Sequence, residues 1–131
     1  MRHRGGYPGQ SLVEFALTGT LLIMLLLGTV DLARAYTAQV AIKNAIAEAG
    51  YFASQNPRND AGIRNAIIRE LDDFNPAVSS GDISINRTCV SGTESTTIRL
   101  TYQFNLLFSF VIPQATVNLG SETTVPQFGG C

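Results

Sequence analysis

The sequence predicts an α+β fold: a long N-terminal hydrophobic helix followed by a small head with a short helix and a three-stranded antiparallel sheet. Three observations predict it. Apolar residues run from Leu12 to Val30 with few interruptions, small and apolar residues then recur at three- and four-residue steps as far as Phe52, and beyond Gly81 the period changes to two. The first pattern suits a bilayer span, the second a helix face and the third strands.

The helix comes first. Twenty residues at about 1.5 Å each cover roughly 30 Å, so 10–30 is long enough to cross the hydrocarbon of a membrane. No turn residue separates this run from GTVDLARAYTAQVAIKNAIAEAGYFASQ, in which Ala33, Tyr36, Val40, Ala41, Ala45, Ala49 and Phe52 mark one helical face. Asn56-Pro57 supplies the stop, because the residue before a proline is pushed out of helical geometry. One continuous helix over 10–56 results. Gly19 and Gly28 lie within the span, where small residues let neighbouring helices approach.

The head follows. Ile63, Ala66, Ile67 and Leu71 share one face of an amphipathic segment, which predicts a short helix over 59–73 ended by Asn75-Pro76, with Arg64, Arg69, Glu70 and Asp72 forming a solvated face. Ser79-Ser80-Gly81-Asp82 marks a turn. Alternation of Ile83 and Ile85, of Ile98, Leu100, Tyr102 and Phe104, and of Val117 and Leu119 with polar residues predicts strands near 82–90, 95–105 and 115–125, the first two joined through Val90-Ser91-Gly92-Thr93. Such a sheet needs cover on its apolar face, which the outer half of the long helix and the short helix supply. The stretch NLLFSFVIPQ breaks the alternation. It reads either as a loop folded over the end of the core or as a contact surface for a neighbouring subunit or the membrane, with Leu106, Leu107, Phe108 and Phe110 as its contact residues.

Composition narrows function. The formal charge is −1 with only nine Lys and Arg, so there is no basic stripe and no nucleic-acid partner is expected. One histidine, His3, and two cysteines do not make a zinc site or a Cys/His nucleophile pair. Glu70, Asp72, Asp73, Asp82, Glu94 and Glu122 follow no catalytic motif and no glycine-rich phosphate loop is present, so neither an enzyme nor a cofactor is expected. Asn86-Arg87-Thr88 matches a glycosylation sequon, a pattern short enough to arise by chance.

The residue that does not fit its surroundings is Glu14, a carboxylate near the start of the apolar run. A charge inside hydrocarbon costs roughly 2.5–3.5 kcal/mol on insertion scales, unless it snorkels to the interface or finds a partner. Arg2 and Arg4 precede it, then Gly9, then Gln10-Ser11-Leu12-Val13-Glu14-Phe15 and the span. A basic leader, a glycine and this string resemble the class III signal of type IV pilin-like proteins, and L-L-L-G-T-V-D-L-A-R-A-Y resembles the TadE-like proteins of the tight-adherence pilus system in particular. The resemblance is close over residues 9 to about 50.

That resemblance implies cleavage by a prepilin peptidase between Gly9 and Gln10, and a role in assembly for Glu14 and Phe15. Glu14 would become the fifth residue of the cleaved chain and would neutralise the N-terminal ammonium of a neighbouring subunit. Three segments are then expected: a basic leader peptide over 1–9, the long helix over 10–56 with 10–30 in the membrane or filament core, and a small extracytoplasmic head over 57–131. The implied partners are other copies of the chain or sister pilins, the prepilin peptidase, the pilus platform protein, the assembly ATPase machinery and, before assembly, membrane lipid. Arg2 and Arg4 keep the N-terminus in the cytoplasm and send the head outward, to the cell surface once assembled. Cys89 and Cys131 would lie outside the cytoplasm, where disulfides persist, so they either pair with each other or stand as two free thiols, one on the tail. The expected function is that of a structural subunit of an extracellular pilus supporting surface adhesion. The alternative is an uncleaved single-span membrane-anchored binding module with no filament.

Overall fold

A computed structural model of the chain describes residues 8–74, 77–107 and 115–127. Helix α1 runs unbroken over Pro8–Gln55 and is followed by α2 (Asp60–Glu70), a 3₁₀ turn (Ser80–Asp82) and strands β1 (Ile83–Val90), β2 (Thr93–Asn105) and β3 (Thr116–Pro126). The three strands form an antiparallel sheet in the order β1-β2-β3. At about 1.5 Å per residue α1 is roughly 70 Å long, and among the described residues its outer half carries the buried positions that face the head.

The sheet lies alongside that outer half in a fixed direction. Near its N-terminal end, the Asp31 carboxylate accepts from the Leu107 backbone amide at 2.8 Å. Further along, the Gln39 side chain donates to the Gly120 carbonyl at 2.8 Å. A methyl group added at Gly50 would meet Thr123 Cγ2 at 3.1 Å, so the helix passes close to β3 there. The helix and β3 therefore run the same way, and the β1–β2 hairpin lies at the end far from the span.

Burial follows period two in β2, where Thr96, Ile98, Leu100, Tyr102 and Phe104 are buried and Arg99, Thr101 and Gln103 are exposed. These side chains meet Ala38, Ile42, Ala45, Ile46, Ala49 and Ala53 of α1 and Ile63, Ile67 and Leu71 of α2 in one core. The Phe74 and Tyr102 rings pack edge to face with centroids 5.0 Å apart. Burial, aided by the charge of Asp82, raises the Tyr102 hydroxyl pKa above its usual value.

The helical face read from the sequence is rotated in the structure. Ala45 and Ala49 are buried and Ala41 and Phe52 half-buried, as expected, but Ala33, Tyr36 and Val40 are exposed, and Ala38, Ile42, Ile46 and Ala53 take their place. Small and apolar residues occur on two adjacent stripes of this half, and the sheet selects the one carrying Ile42 and Ile46.

Helix α2 starts where Asn59 caps it, its side chain accepting from the Gly62 amide at 2.9 Å. It ends at Glu70 rather than 73. Asp72 and Asp73 would place two negative charges on the negative end of the helix dipole, which favours the turn that replaces it. Its charged residues are not all a solvated face: the Arg64 guanidinium donates to the carbonyls of Ser80 at 2.6 Å and Ile83 at 2.5 Å, tying α2 to the start of β1. Arg87 on β1 pairs with Asp60 and donates to the Pro57 carbonyl at 2.7 Å. The hydrogen bond from Arg87 holds the Asp60 carboxyl below its ordinary pKa. At the Ser79 turn, Asp82 Oδ2 accepts from both the Ser79 amide and its hydroxyl at 2.8 Å.

The β1–β2 hairpin is tighter than predicted, because Val90 pairs directly with Thr93. Ser91 and Gly92 both have positive φ, 53° and 79°, the pattern of a two-residue type I′ loop whose twist matches the strands. Strand β2 therefore begins at Thr93 and not at residue 95.

Candidate assembly and anchoring site

From Gly9 to Val30, α1 is bare. Leu12, Phe15, Leu17, Leu21, Ile23, Leu25 and Leu26 are each at least 60% exposed, and the most apolar stretch has no buried residue. This is the one helix among the described residues long and apolar enough to cross a membrane. Two of its hydroxyls are satisfied by its own backbone: those of Thr20 and Thr29 donate to the carbonyls of Ala16 and Leu26, each at 2.8 Å. In hydrocarbon, which offers no water, such internal bonds make a hydroxyl tolerable.

The Gly9–Gln10 bond lies in the first turns of α1, and a methyl group added at Gly9 would meet nothing within 4 Å. Gln10 and Glu14, four residues apart on one face, are joined by a hydrogen bond from Gln10 Nε2 to Glu14 Oε1 of 3.2 Å. Both are exposed, as is Phe15 at 79%. Gly19 and Gly28 are equally open, with nothing within 4 Å of an added methyl group at either.

At the other end of the span the structure assembles a junction around Asp31 and Arg34. Asp31 follows Val30 directly and is 4% exposed. One oxygen, Oδ1, accepts from the Leu107 amide at 2.8 Å and from Arg34 Nη1 at 3.3 Å. The Arg34 guanidinium carbon lies 5.1 Å from the centroid of the Phe104 ring. A buried carboxylate is stable only when charge and hydrogen bonds compensate its lost hydration, and these contacts do so. Asp31 thereby fastens the end of β2 to the helix where the apolar run stops. The signal was present in the sequence: an acid placed immediately after a span, with an arginine one turn on.

Leu106 is half-buried against the core and Leu107 is 46% exposed. Phe108 and Phe110, the other two expected contact residues, lie outside the described residues. Cys89 sits on β1 opposite Glu94, and no cysteine among the described residues is a free thiol. Cys131 lies outside the described residues. Among the described residues, no group of three His, Cys, Asp or Glu side chains is arranged to hold a metal ion.

Known proteins were compared with the chain in three ways. The sequence model of the family described as TadE-like protein matches residues 9–50. No curated protein matches the chain, and no solved structure does. The matched segment takes in the whole bare span, the Asp31 junction and most of the helix against which the sheet packs. A TadE-like segment suggests a protein associated with a tight-adherence pilus, and the apolar helix suggests that it is anchored in a membrane. Over residues 9–50 the chain is thus similar to the TadE-like family.

Proposed function

We propose that this protein is a structural pilin-like subunit of a tight-adherence pilus, held in the cytoplasmic membrane by residues 10–30 and assembled through that helix after cleavage between Gly9 and Gln10. The observation that carries the reading is the coincidence of the TadE-like segment with a helix half whose apolar side chains are exposed and unburied among the described residues. Roughly 25 cal/mol is gained per Å² of apolar surface removed from water, so a span this bare requires lipid or neighbouring helices around it. In a bundle of such helices, Glu14 neutralises the ammonium of a neighbour's Gln10 and sets the register. An unpaired carboxylate in the same surroundings is costly, which favours assembled over solitary subunits. Phe15 packs beside it.

The head points outward and supports adhesion at the cell surface. Sister pilins or further copies of the chain, the prepilin peptidase, the platform protein and the assembly ATPase are its partners, and no enzymatic role is assigned. A Cys89–Cys131 disulfide would hold the C-terminal tail to β1.

The test is N-terminal sequencing and intact mass, under non-reducing conditions, of protein sheared from the cell surface and of protein left in the membrane. A sheared species beginning at Gln10 and lighter by the two hydrogens of a disulfide is the expected result; protein found solely in the membrane with its leader attached refutes the filament. Glu14→Ala sharpens it. The variant should insert as well as the parent while sheared material falls about tenfold or more, the factor for ~1.4 kcal/mol per contact.

A second reading has one observation in its favour. The Gln10–Glu14 hydrogen bond satisfies the carboxylate within a single helix, as an uncleaved membrane-anchored binding module with no filament would require. In that case Glu14→Ala leaves the surface fraction unchanged.

A further inference from the structure

The base of the head, where it meets the end of the span, carries apolar residues that are exposed among the described residues. Among the described residues, the large hydrophobics exposed on the strands and their connections are Val90, Leu107 and Val117. Val90 lies at the hairpin. The other two lie at the opposite end: Leu107 is hydrogen-bonded to Asp31, and Val117 pairs with Phe104, the ring beneath Arg34. They are 46% and 40% exposed, and on the helix at the same level Val30 and Leu32 are 48% and 72% exposed.

We infer that this base, formed by Leu107 and Val117 of the head with Val30 and Leu32 of α1, rests on the lipid surface as an interfacial contact of the membrane-anchored subunit. The level argues for lipid. Leu12 to Val30 spans roughly 27 Å at 1.5 Å per residue, close to a hydrocarbon thickness, which puts Asp31 at the headgroup boundary. The base is continuous with the apolar surface of the span. Asp31 brings no unsatisfied charge to that boundary, because its carboxylate is held by Leu107 and Arg34. The Arg34 side chain, still 44% exposed, stands one turn beyond Val30, where an arginine reaches lipid phosphates. The contact would fix the tilt of the head on the membrane before assembly.

The inference rests on the membrane-anchored reading, and its test separates the two. The chain contains no tryptophan, so a single introduced indole reports on its own surroundings. Leu107→Trp, Val117→Trp, Val90→Trp and Leu21→Trp replace exposed residues and leave the core intact. Each full-length variant is reconstituted in vesicles of equal parts phosphatidylcholine and phosphatidylglycerol, with and without a nitroxide on the lipid near the headgroup. The nitroxide should quench Leu107→Trp and Val117→Trp about twofold or more, with blue-shifted emission, as for aromatic residues at the interface, and should leave Val90→Trp unaffected. If Leu21→Trp is quenched but the two base variants are quenched no more than Val90→Trp, the inference fails and the anchor stands. If the base variants escape both the lipid nitroxide and aqueous acrylamide, a second copy of the chain covers the base and the inference is again overturned. If Leu21→Trp itself escapes a nitroxide moved to mid-chain, the anchored reading fails and takes the inference with it.

Discussion

The two halves of α1 share a backbone, a helical period and a richness in apolar residues, and they do opposite things. From Gly9 to Val30 the apolar side chains point in every direction, and none is buried. From Asp31 to Gln55 they form stripes, one of which is the floor of the head's core. A helix apolar all round has no face to offer a sheet in preference to any other, and its solvent must be lipid or other helices. A helix apolar on a stripe offers one surface, and the sheet takes it. The change occurs at Asp31, where a carboxylate is retained because the fold satisfies it. The lesson is that the distribution of apolar residues around the axis, more than their number, distinguishes a span from a scaffold.

Variants in the two halves should therefore separate cleanly. The largest effect is expected for Ile42→Ala, which empties a site of zero exposure in the core and should cost about 2–5 kcal/mol of head stability, while Leu21→Ala in the span should leave it unchanged. Denaturant unfolding of the detergent-solubilised chain, followed by near-ultraviolet circular dichroism, measures both. Equal effects would show that the halves are not distinct.

Asp31→Ala comes next. It removes the acceptor from the Leu107 amide and the partner of Arg34, and should cost about 1–3 kcal/mol. Hydrogen exchange should rise at Leu107 ahead of the hairpin, whereas uniform exchange would mean that Asp31 does not fasten the base. Gly62→Ala should cost a similar ~1–3 kcal/mol, because its added methyl would lie 2.6 Å from the Phe52 ring where α1 and α2 touch. Moving Phe52 aside by a second substitution, Phe52→Leu, should recover part of that loss.

The smallest effect is electrostatic. Asp60 is paired with Arg87, and both are partly exposed, so Asp60→Asn should cost only about 0.2–1 kcal/mol. Its pH dependence has a definite sign. The Asp60 carboxyl has a lower pKa in the folded state, so its contribution is complete above the ordinary carboxylate pKa and is lost as pH falls through the folded value. The parent should lose stability in that acid window more steeply than Asp60→Asn; parallel curves would exclude the pair as a source of stability.

Much of this architecture was legible in the residues. The long helix, its stop at Asn56-Pro57 and the strands follow from period and punctuation, since alternation in β2 and the Ser91-Gly92 turn act over a few residues. Glu14 was legible because a charge conflicts with its apolar neighbours wherever the helix goes. Other features were not. Tyr36 and Val40 have the spacing of a core face and yet are exposed, and Arg64 looks like a solvent cation yet ties α2 to β1.

By itself, then, the sequence determined which stretches are helix and strand, that residues 10–30 form an apolar run, and that Glu14 conflicts with its neighbours there, because propensity, period and the cost of a charge in apolar surroundings are local. Which stripe of α1 the sheet covers, that Asp31 is a buried clasp and that Leu107 and Val117 come together at the edge of the span were decided by the tertiary structure alone. Those outcomes depend on residues as many as 81 positions apart, Gln39 and Gly120, and are set by how the sheet packs on the helix.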